Sequence, residues 1–385
     1  MLDETDYGLI HALHLDGRAP FSRIGAVLGV STQTVARRYR RLHAEAGLRV
    51  TGLPVPDRTG TTQWLVRLTA TPAAAQRLAH ALARRPDTSW VMLTSGGTEV
   101  FLLVDGPGPN TPSLLLHDLP RTSAITGISA QYVLHTYVGG PTVWPGHLTA
   151  LNAEQQHALT STGKTRYVPE SPAGGVSAPR LGAVRAEQSG DDGAASPGST
   201  VDQLHPAGRW PATAGSRRYS PSRRGRRPSP DSTRHGVCDS DATLFTALRA
   251  DGRASVNDLS AATGWSTTTV ARRIAELLDC GALYFDVDVE GSLFGITTRA
   301  LLWATIAPGR LDEVAESLSG HAELAFVAAT TGRTNLVAEV LCPDPAALHA
   351  YLTGKLGHFE AIQTLETTPV LTTVKSTAPV RPSSS

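Results

Sequence analysis

Cysteine is scarce in this 385-residue chain, limited to Cys238, Cys280 and Cys342. Three scattered thiols cannot build a disulfide framework, and no pair has zinc-ligand spacing. Free thiols in a reducing compartment, the cytoplasm, are expected. Long apolar runs are also missing. No stretch approaches the roughly 20 residues that span a bilayer. The start, Met1-Leu2-Asp3-Glu4, is acidic and amphipathic, unlike a signal or transit peptide, so no membrane partner is expected. Charge of either sign is not in excess: 35 Lys and Arg face 34 Asp and Glu, a net +1. No overall positive field recommends nucleic-acid binding, which would have to come from local patches. The 41 % hydrophobic and 18 % charged content suits folded domains, and the length allows roughly two to four.

The chain repeats itself. Leu9 to Leu42 realigns on Leu244 to Leu277 without a gap. Asp16-Gly17-Arg18-Ala19 recurs as Asp251-Gly252-Arg253-Ala254, and Val35-Ala36-Arg37-Arg38 as Val270-Ala271-Arg272-Arg273. Gly29, Ser31, Thr32 and Thr34 recur as Gly264, Ser266, Thr267 and Thr269. Further on, Thr94-Ser95-Gly96-Gly97-Thr98 lines up with Thr330-Thr331-Gly332-Arg333-Thr334. A repeat of this size means two copies of one supersecondary design. Between the copies, from about Thr160 to Gly236, the chain is rich in Pro, Gly, Ser, Ala and Arg. Such sequence buries too little apolar surface to offset its ordering entropy. A disordered linker is expected, with an end-to-end distance of roughly 50 Å. Its Arg217, Arg218, Arg223, Arg224, Arg226 and Arg227 suit an arm on DNA phosphates, or a solvated spacer. Gly163-Lys164-Thr165 is no P-loop: Ala158 stands where the first glycine belongs, and no strand precedes it.

Each copy opens with three short helical patterns. In the first, Leu9, Ile10 and Leu13 form an apolar stripe that breaks at Asp16-Gly17. Ile24, Val27 and Leu28 form a second, stopped by Gly29. Ser31 then caps a third helix that buries Val35, Tyr39 and Leu42. Two helices joined by a short glycine turn make a helix-turn-helix. The outward face of the third helix carries Gln33, Arg37, Arg40 and Arg41. Glutamine pairs bidentately with adenine, and arginines take guanine edges or phosphates. The same positions in copy two are Thr268, Arg272, Ala275 and Glu276, so copy two is the poorer in charge. The expected DNA-contacting set is Ser31, Thr32, Gln33, Thr34, Arg37, Arg38, Arg40 and Arg41, with Ser266, Thr267, Thr268, Thr269, Arg272 and Arg273. Double-stranded DNA is the expected partner. Leu283 to Val289 alternates as a wing strand would; Leu48 to Val55 is its counterpart, interrupted by Pro54 and followed by Pro56.

The rest of each unit alternates strand and helix patterns in the order βαββαβ, a ferredoxin-like layer of helices on an antiparallel sheet. In copy two these are Ala300–Ile306, a helix through Leu311 to Leu318, Leu324–Ala329, Leu336–Leu341, a helix through Leu348 to Leu356, and Ile362–Val374 as one strand or two. Copy one follows with Trp64–Leu68, Leu78–Leu82, Trp90–Leu93, Val100–Val104, Leu114–Leu119 and Ile128–Val138. The expected fold is α+β, with two winged helix-turn-helix domains (1–60 and 238–295), two ferredoxin-like domains (61–145 and 296–380), and a linker over 146–237. The two ferredoxin-like domains are expected to pair with each other.

The series Leu2-Asp3-Glu4-Thr5-Asp6, Asp-Gly-Arg, a Gly-x-Ser turn and Thr-Val-Ala-Arg-Arg resembles the Lrp/AsnC (feast/famine) regulators. Copy two adds Leu283-Tyr284-Phe285-Asp286-Val287 and Thr331-Gly332-Arg333-Thr334-Asn335-Leu336. The tandem arrangement is similar to fused actinobacterial members. The resemblance implies a transcription regulator without enzymatic activity or cofactor, self-association through the sensor domains, and an amino acid or related metabolite as effector. It places the effector near the glycine turn between the second and third sheet strands: Gly96, Gly97, Thr98 and Glu99 in copy one, and Gly332, Arg333, Thr334 and Asn335 in copy two. Many members have an aspartate shortly after that glycine; here Glu99 and Asn335 stand nearby. The same glycines also suit a plain β-turn at positive φ. Two alternatives share the fold. Sirohaem decarboxylases resemble these regulators and use histidines and arginines over a tetrapyrrole, but His117, His135, His321 and His358 do not fall at matching positions in the two copies. The other is a sensor partner with no DNA binding of its own, a reading that suits copy two better than copy one.

Overall fold

The computed structural model describes residues 2–106, 113–140, 149–160 and 241–377. Each copy begins with three helices whose ends are set by local chemistry. In α1 (Glu4–Leu15), Asp3 and Asp6 form a reciprocal capping box. The second helix, α2 (Phe21–Leu28), ends at Gly29, which holds φ +69°. Ser31 caps α3 (Thr32–Glu45) by accepting the Thr34 N–H at 3.1 Å. The second trio repeats this plan in α7 (Asp241–Ala250), α8 (Val256–Thr263) and α9 (Thr267–Asp279), with Gly264 left-handed and Ser266 as cap. Val35 and Leu42 are buried as expected, whereas Tyr39 is half-buried. Its ring tilts onto Phe21 and lies 5.5 Å from the Arg253 guanidinium of the other copy.

After each trio comes one strand, β1 (Arg49–Pro54) and β6 (Leu283–Asp288). Neither folds back into a hairpin of its own. They pair with each other, antiparallel, with Arg49 opposite Asp288, Thr51 opposite Asp286 and Leu53 opposite Tyr284. This wing is therefore a two-stranded ribbon shared by both copies. A short helix α4 (Pro56–Thr59) follows β1.

The repeated Asp-Gly-Arg-Ala turns meet across the same pseudo-symmetry. Arg18 donates to the carbonyls of Gly252 (2.6 Å) and Ala254 (2.9 Å), and Arg253 donates to those of Gly17 (2.6 Å) and Ala19 (3.0 Å). Arg18 also lies over the Phe285 ring and Arg253 over that of Phe21, contacts that add to the bonds. The glycines permit this approach. A Cβ on Gly17 would sit 2.6 Å from the Phe285 Cβ, and one on Gly252 would sit 2.8 Å from the Val50 carbonyl oxygen.

The sensor units follow the βαββαβ order. Copy one contributes β2 (Thr62–Ala70), α5 (Pro72–Ala83), β3 (Thr88–Thr94), β4 (Glu99–Gly106), a π-helical turn Leu114–Asp118 and β5 (Ile125–Val138). After the connecting helix α6 (Ala153–Thr160) and the second trio, copy two contributes β7 (Thr298–Ile306), α10 (Leu311–Ser319), β8 (Leu324–Thr330), β9 (Leu336–Cys342), α11 (Pro345–Ala350) and β10 (Ile362–Lys375), a single long strand. The strands close into one barrel in the order β10-β3-β4-β2-β5-β8-β9-β7. Its two seams, β10 on β3 and β5 on β8, join the last strand of each copy to the second sheet strand of the other. Pairing of the two sensor units within one chain is thus what the fold displays. Each outer sheet face packs on its own helices, around Val66, Leu68, Val100 and Leu102 in copy one and around Leu302, Ala304, Leu336 and Val340 in copy two. Leu65, Met92, Phe101, Leu301, Trp303 and Val337 form a third core between the sheets.

The stretch expected as linker does not begin at 146. Helix α6 packs on the first trio, with Leu151 and Leu159 in its core and the Leu151 N–H donating to His11 Nδ1 at 3.1 Å. Residues 161–240, with the six linker arginines and Cys238, lie outside the described residues.

Candidate DNA interface and sensing site

On α3 the exposed residues Gln33, Arg37 and Arg40 share one side with Ser31 and Thr34, around a shallow cleft of about 230 Å³. Arg40 Nε donates only to its own helix, at Ala36. No acid among the described residues is bonded to Arg37 or Arg40, so both charges face outward.

Arg38 and Arg41 do something else. Arg38 Nη1 binds both carboxylate oxygens of Asp3 (2.6 and 2.7 Å) and Asp6 (2.9 Å), and Arg41 reaches Asp6 as well. The Asp6 side chain is fully buried, and a buried carboxylate requires such partners. The Arg38 guanidinium holds the Asp3 carboxyl below its usual range. These two arginines fasten α3 to the start of α1. In copy two the equivalent Arg273 grips Asp241 with two bonds (2.6 and 2.8 Å). Arg272, still exposed, is bonded to Glu276. Glu276 also binds Arg273, which keeps its carboxyl below the usual range. The outward face of α9 is therefore Thr268 with an arginine whose charge is met by a carboxylate on the next turn.

The glycine turns lie where the two sensor units touch. Gly96 (φ +70°) and Gly97 (φ +84°) shape the first turn, and a Cβ on Gly97 would contact Leu93 and Leu371 of β10. Thr98 closes the turn by donating to Ser95. Glu99 is paired with Arg67 at 3.0 Å; Arg67 also binds Glu366 at 2.5 Å and lies over the Trp303 ring. The second turn, with Gly332 at φ +107°, meets β5. Thr334 accepts from Gln131 Nε2 at 3.0 Å, and Thr331 accepts the Tyr132 N–H. Asn335 bonds twice to the Ile306 backbone, donating to its carbonyl and accepting its N–H, both at 2.8 Å. Arg333 is exposed. Both turns are therefore interface elements whose polar side chains are already largely satisfied.

Two features escaped the sequence reading. The Asp-Gly-Arg-Ala clamp was readable only as a helix break, although its intact recurrence was a signal of shared structural duty. The aspartates that hold Arg38 and Arg273 stand 32 positions before them in both copies, a spacing that could have revealed the pairs.

Two helix-turn-helix elements set side by side on a paired sensor barrel define a DNA-binding regulator with a ligand-sensing domain. A family model described as the AsnC-type helix-turn-helix domain matches residues 2–43 and 239–278, and one described as the Lrp/AsnC ligand binding domain matches 299–380. The chain thus carries AsnC-type helix-turn-helix domains in tandem and a Lrp/AsnC ligand binding domain, the parts of a ligand-responsive, DNA-binding transcriptional regulator. Among its relatives is the HTH-type transcriptional regulator FL11 of Pyrococcus horikoshii, 26 % identical over 138 residues, which are 36 % of this chain and 91 % of the relative. An uncharacterized HTH-type transcriptional regulator of Pyrococcus furiosus is 28 % identical over 136 residues, 35 % of this chain and 91 % of its own length. A whole relative thus corresponds to about one unit here. The crystal structure of the siroheme decarboxylase NirDL is similar over 98 % of this chain and 93 % of that one, at 8 % identity and a TM-score of 0.53. That likeness concerns the fold. No helix among the described residues is long and apolar enough to cross a membrane.

Proposed function

We propose that one chain does the work of a two-subunit regulator and holds double-stranded DNA asymmetrically in the cytoplasm, with copy one supplying most of the affinity. The carrying observation is the bare pair Arg37 and Arg40 beside Gln33 on α3, set against Arg272 neutralised by Glu276 on α9. Residues 1–60 and 238–295 act as the DNA-binding parts and 61–145 and 296–380 as the sensing parts. Ser31, Thr32, Gln33 and Thr34, with Ser266, Thr267, Thr268 and Thr269, meet DNA at the helix starts, where hydroxyls, backbone N–H groups and the dipole suit phosphates. An amino acid or related metabolite is sensed, with Gly96 to Glu99 and Gly332 to Asn335 as contacts at the interface of the sensor units. Two recognition helices with different faces call for two different half-sites, an imperfect palindrome.

The test is selection of bound DNA from a random pool, with and without amino acids, followed by salt titration of the selected site. Removing one arginine from a phosphate should flatten the salt slope by about one unit. Arg37→Ala with Arg40→Ala should flatten it by about two units, and Arg272→Ala by well under one. Equal effects from both helices would refute the asymmetry.

A second reading, an enzyme of the sirohaem decarboxylase kind, is favoured by the fold likeness over nearly the whole chain. It predicts a Soret shift and release of carbon dioxide on adding sirohaem. The regulator reading predicts neither, and it alone accounts for the outward arginines of α3.

A further inference from the structure

Beneath the β1–β6 ribbon lies a cavity of about 610 Å³, within the size range of small-molecule sites. Met92, Phe101, Leu103, Val133 and Leu301 line its barrel side. Trp90 lines it too, at a β-bulge and with φ +48°. A tryptophan held in the left-handed region is backbone strain, of the sort that gathers at binding and switch sites. The ribbon side carries Arg49, Leu53, Tyr284, Asp286 and Asp288, which the register places on one face. On the opposite face, Val50 and Val287 belong to the core of the first helical trio and Leu283 to that of the second. One sheet of two strands thus separates the cavity from both DNA-binding units and touches all three.

The polar groups restrict what fits. Arg249 is bonded to Asp105 and Arg299 to Glu339. Arg49 Nη2 is buried with no hydrogen-bond partner among the described residues, a costly state that an anion would relieve. Asp286 and Asp288 stand along the same strand face and oppose a second negative charge. The rest of the wall mixes apolar side chains with Gln63, Ser89, His135, Thr373 and Lys375, whose ammonium already donates to the Arg85 carbonyl.

We propose that this cavity, apart from the glycine turns, binds a monocarboxylate with a bulky apolar body, its carboxylate on Arg49, and that occupancy moves the ribbon and with it the spacing of the two recognition helices. The second half of this inference rests on the regulator reading; the first half does not.

The test uses the full chain and 1-anilinonaphthalene-8-sulfonate, an aromatic monoanion that fluoresces in apolar sites. One dye should bind per chain and be displaced by indole-3-acetate and 4-phenylbutyrate, but not by benzylamine or benzyl phosphate. Arg49→Met should weaken binding about tenfold or more, and Arg49→Lys should restore part of it. Leu103→Trp and Leu301→Trp, which fill the space, should abolish it in chains whose far-UV circular dichroism stays native. Dye binding that is absent, or indifferent to Arg49→Met and to both tryptophan variants, overturns the site. Displacement by the amine or the phosphate as readily as by the carboxylates overturns the ligand class. For coupling, indole-3-acetate should change the dissociation constant of the selected DNA, and an unchanged constant with the cavity occupied overturns it. A chain that binds dye as described but no DNA refutes the regulator reading and leaves the site standing.

Discussion

Gly252→Ala is the sharpest test of the inter-copy clamp, because local and long-range physics give it opposite signs. Gly252 is not in the left-handed region, so alanine is locally acceptable and would stabilise the chain by about 0.5–1 kcal/mol through a stiffer unfolded state. Across the copies the sign reverses. The new Cβ would sit 2.8 Å from the Val50 oxygen and 3.0 Å from the Val50 and Thr51 carbonyl carbons, all backbone atoms of β1. The Gly252 N–H also donates to that Val50 oxygen at 2.7 Å. Relief of the clash requires the strand to retreat, at about 1–3 kcal/mol for overpacking and about 1 kcal/mol for the weakened bond. The net expectation is a loss of about 1–3 kcal/mol. Gly309→Ala is the control: nothing lies within 4 Å of its Cβ position and its φ is not left-handed, so only the small local gain remains. Urea unfolding followed by circular dichroism and by tryptophan fluorescence measures both variants. If Gly252→Ala matches Gly309→Ala within about 0.5 kcal/mol, the turn does not meet β1 and the shared ribbon is wrong.

Gln33→Ala should relax sequence preference at one operator position, at about 1–3 kcal/mol for the preferred base; uniform weakening over all sequences would mark Gln33 as a phosphate contact. Asp241→Asn should cost about 1–3 kcal/mol, by removing the buried carboxylate that takes two bonds from Arg273 while that guanidinium keeps Glu276, seen as early urea unfolding; a neutral result would show the pair to be ornamental. Asp286 is raised to about 6, first by burial and then by Asp288. A carboxyl so raised stabilises the fold below its unfolded value near 3.8 and loses that contribution as pH rises through its folded value. Asp286→Asn should therefore gain on the native chain between about pH 4 and 6, reaching about 1–3 kcal/mol at neutral pH, and a difference that is flat with pH would contradict this. A protease cut between residues 161 and 240 should leave both fragments together in light scattering, since the seams β10–β3 and β5–β8 cross between copies; separation at micromolar concentration would refute intramolecular pairing.

Much of this architecture was legible because its determinants are local. Asp3, Ser31 and Ser266 cap helices, Gly29 and Gly264 end them, and the apolar periods of β7 to β10 sit on the strands they implied. Contacts between the copies were not legible one residue at a time: no period in Arg49–Pro54 announces that its partner is Leu283–Asp288. Comparison of the two copies recovers part of what the single sequence hides. Residues that recur unchanged turn out to carry structure: Asp6 with Arg38 and Asp241 with Arg273 fasten helices, and Arg18 with Arg253 clasp the two turns. Residues that differ between the copies fall at the working surfaces. Gln33 and Arg40 become Thr268 and Ala275 on the recognition helix, and Arg67 and Glu99 become Trp303 and Asn335 at the sensor interface. In a separate dimer both subunits must share one sequence, so every interface is compelled to be self-complementary. Fusion removes that constraint, which lets Arg67 of one copy pair with Glu366 and stack on Trp303 of the other. The divergence of the two halves is thus itself a prediction about function: the chain reads an asymmetric site on DNA with an asymmetric sensor.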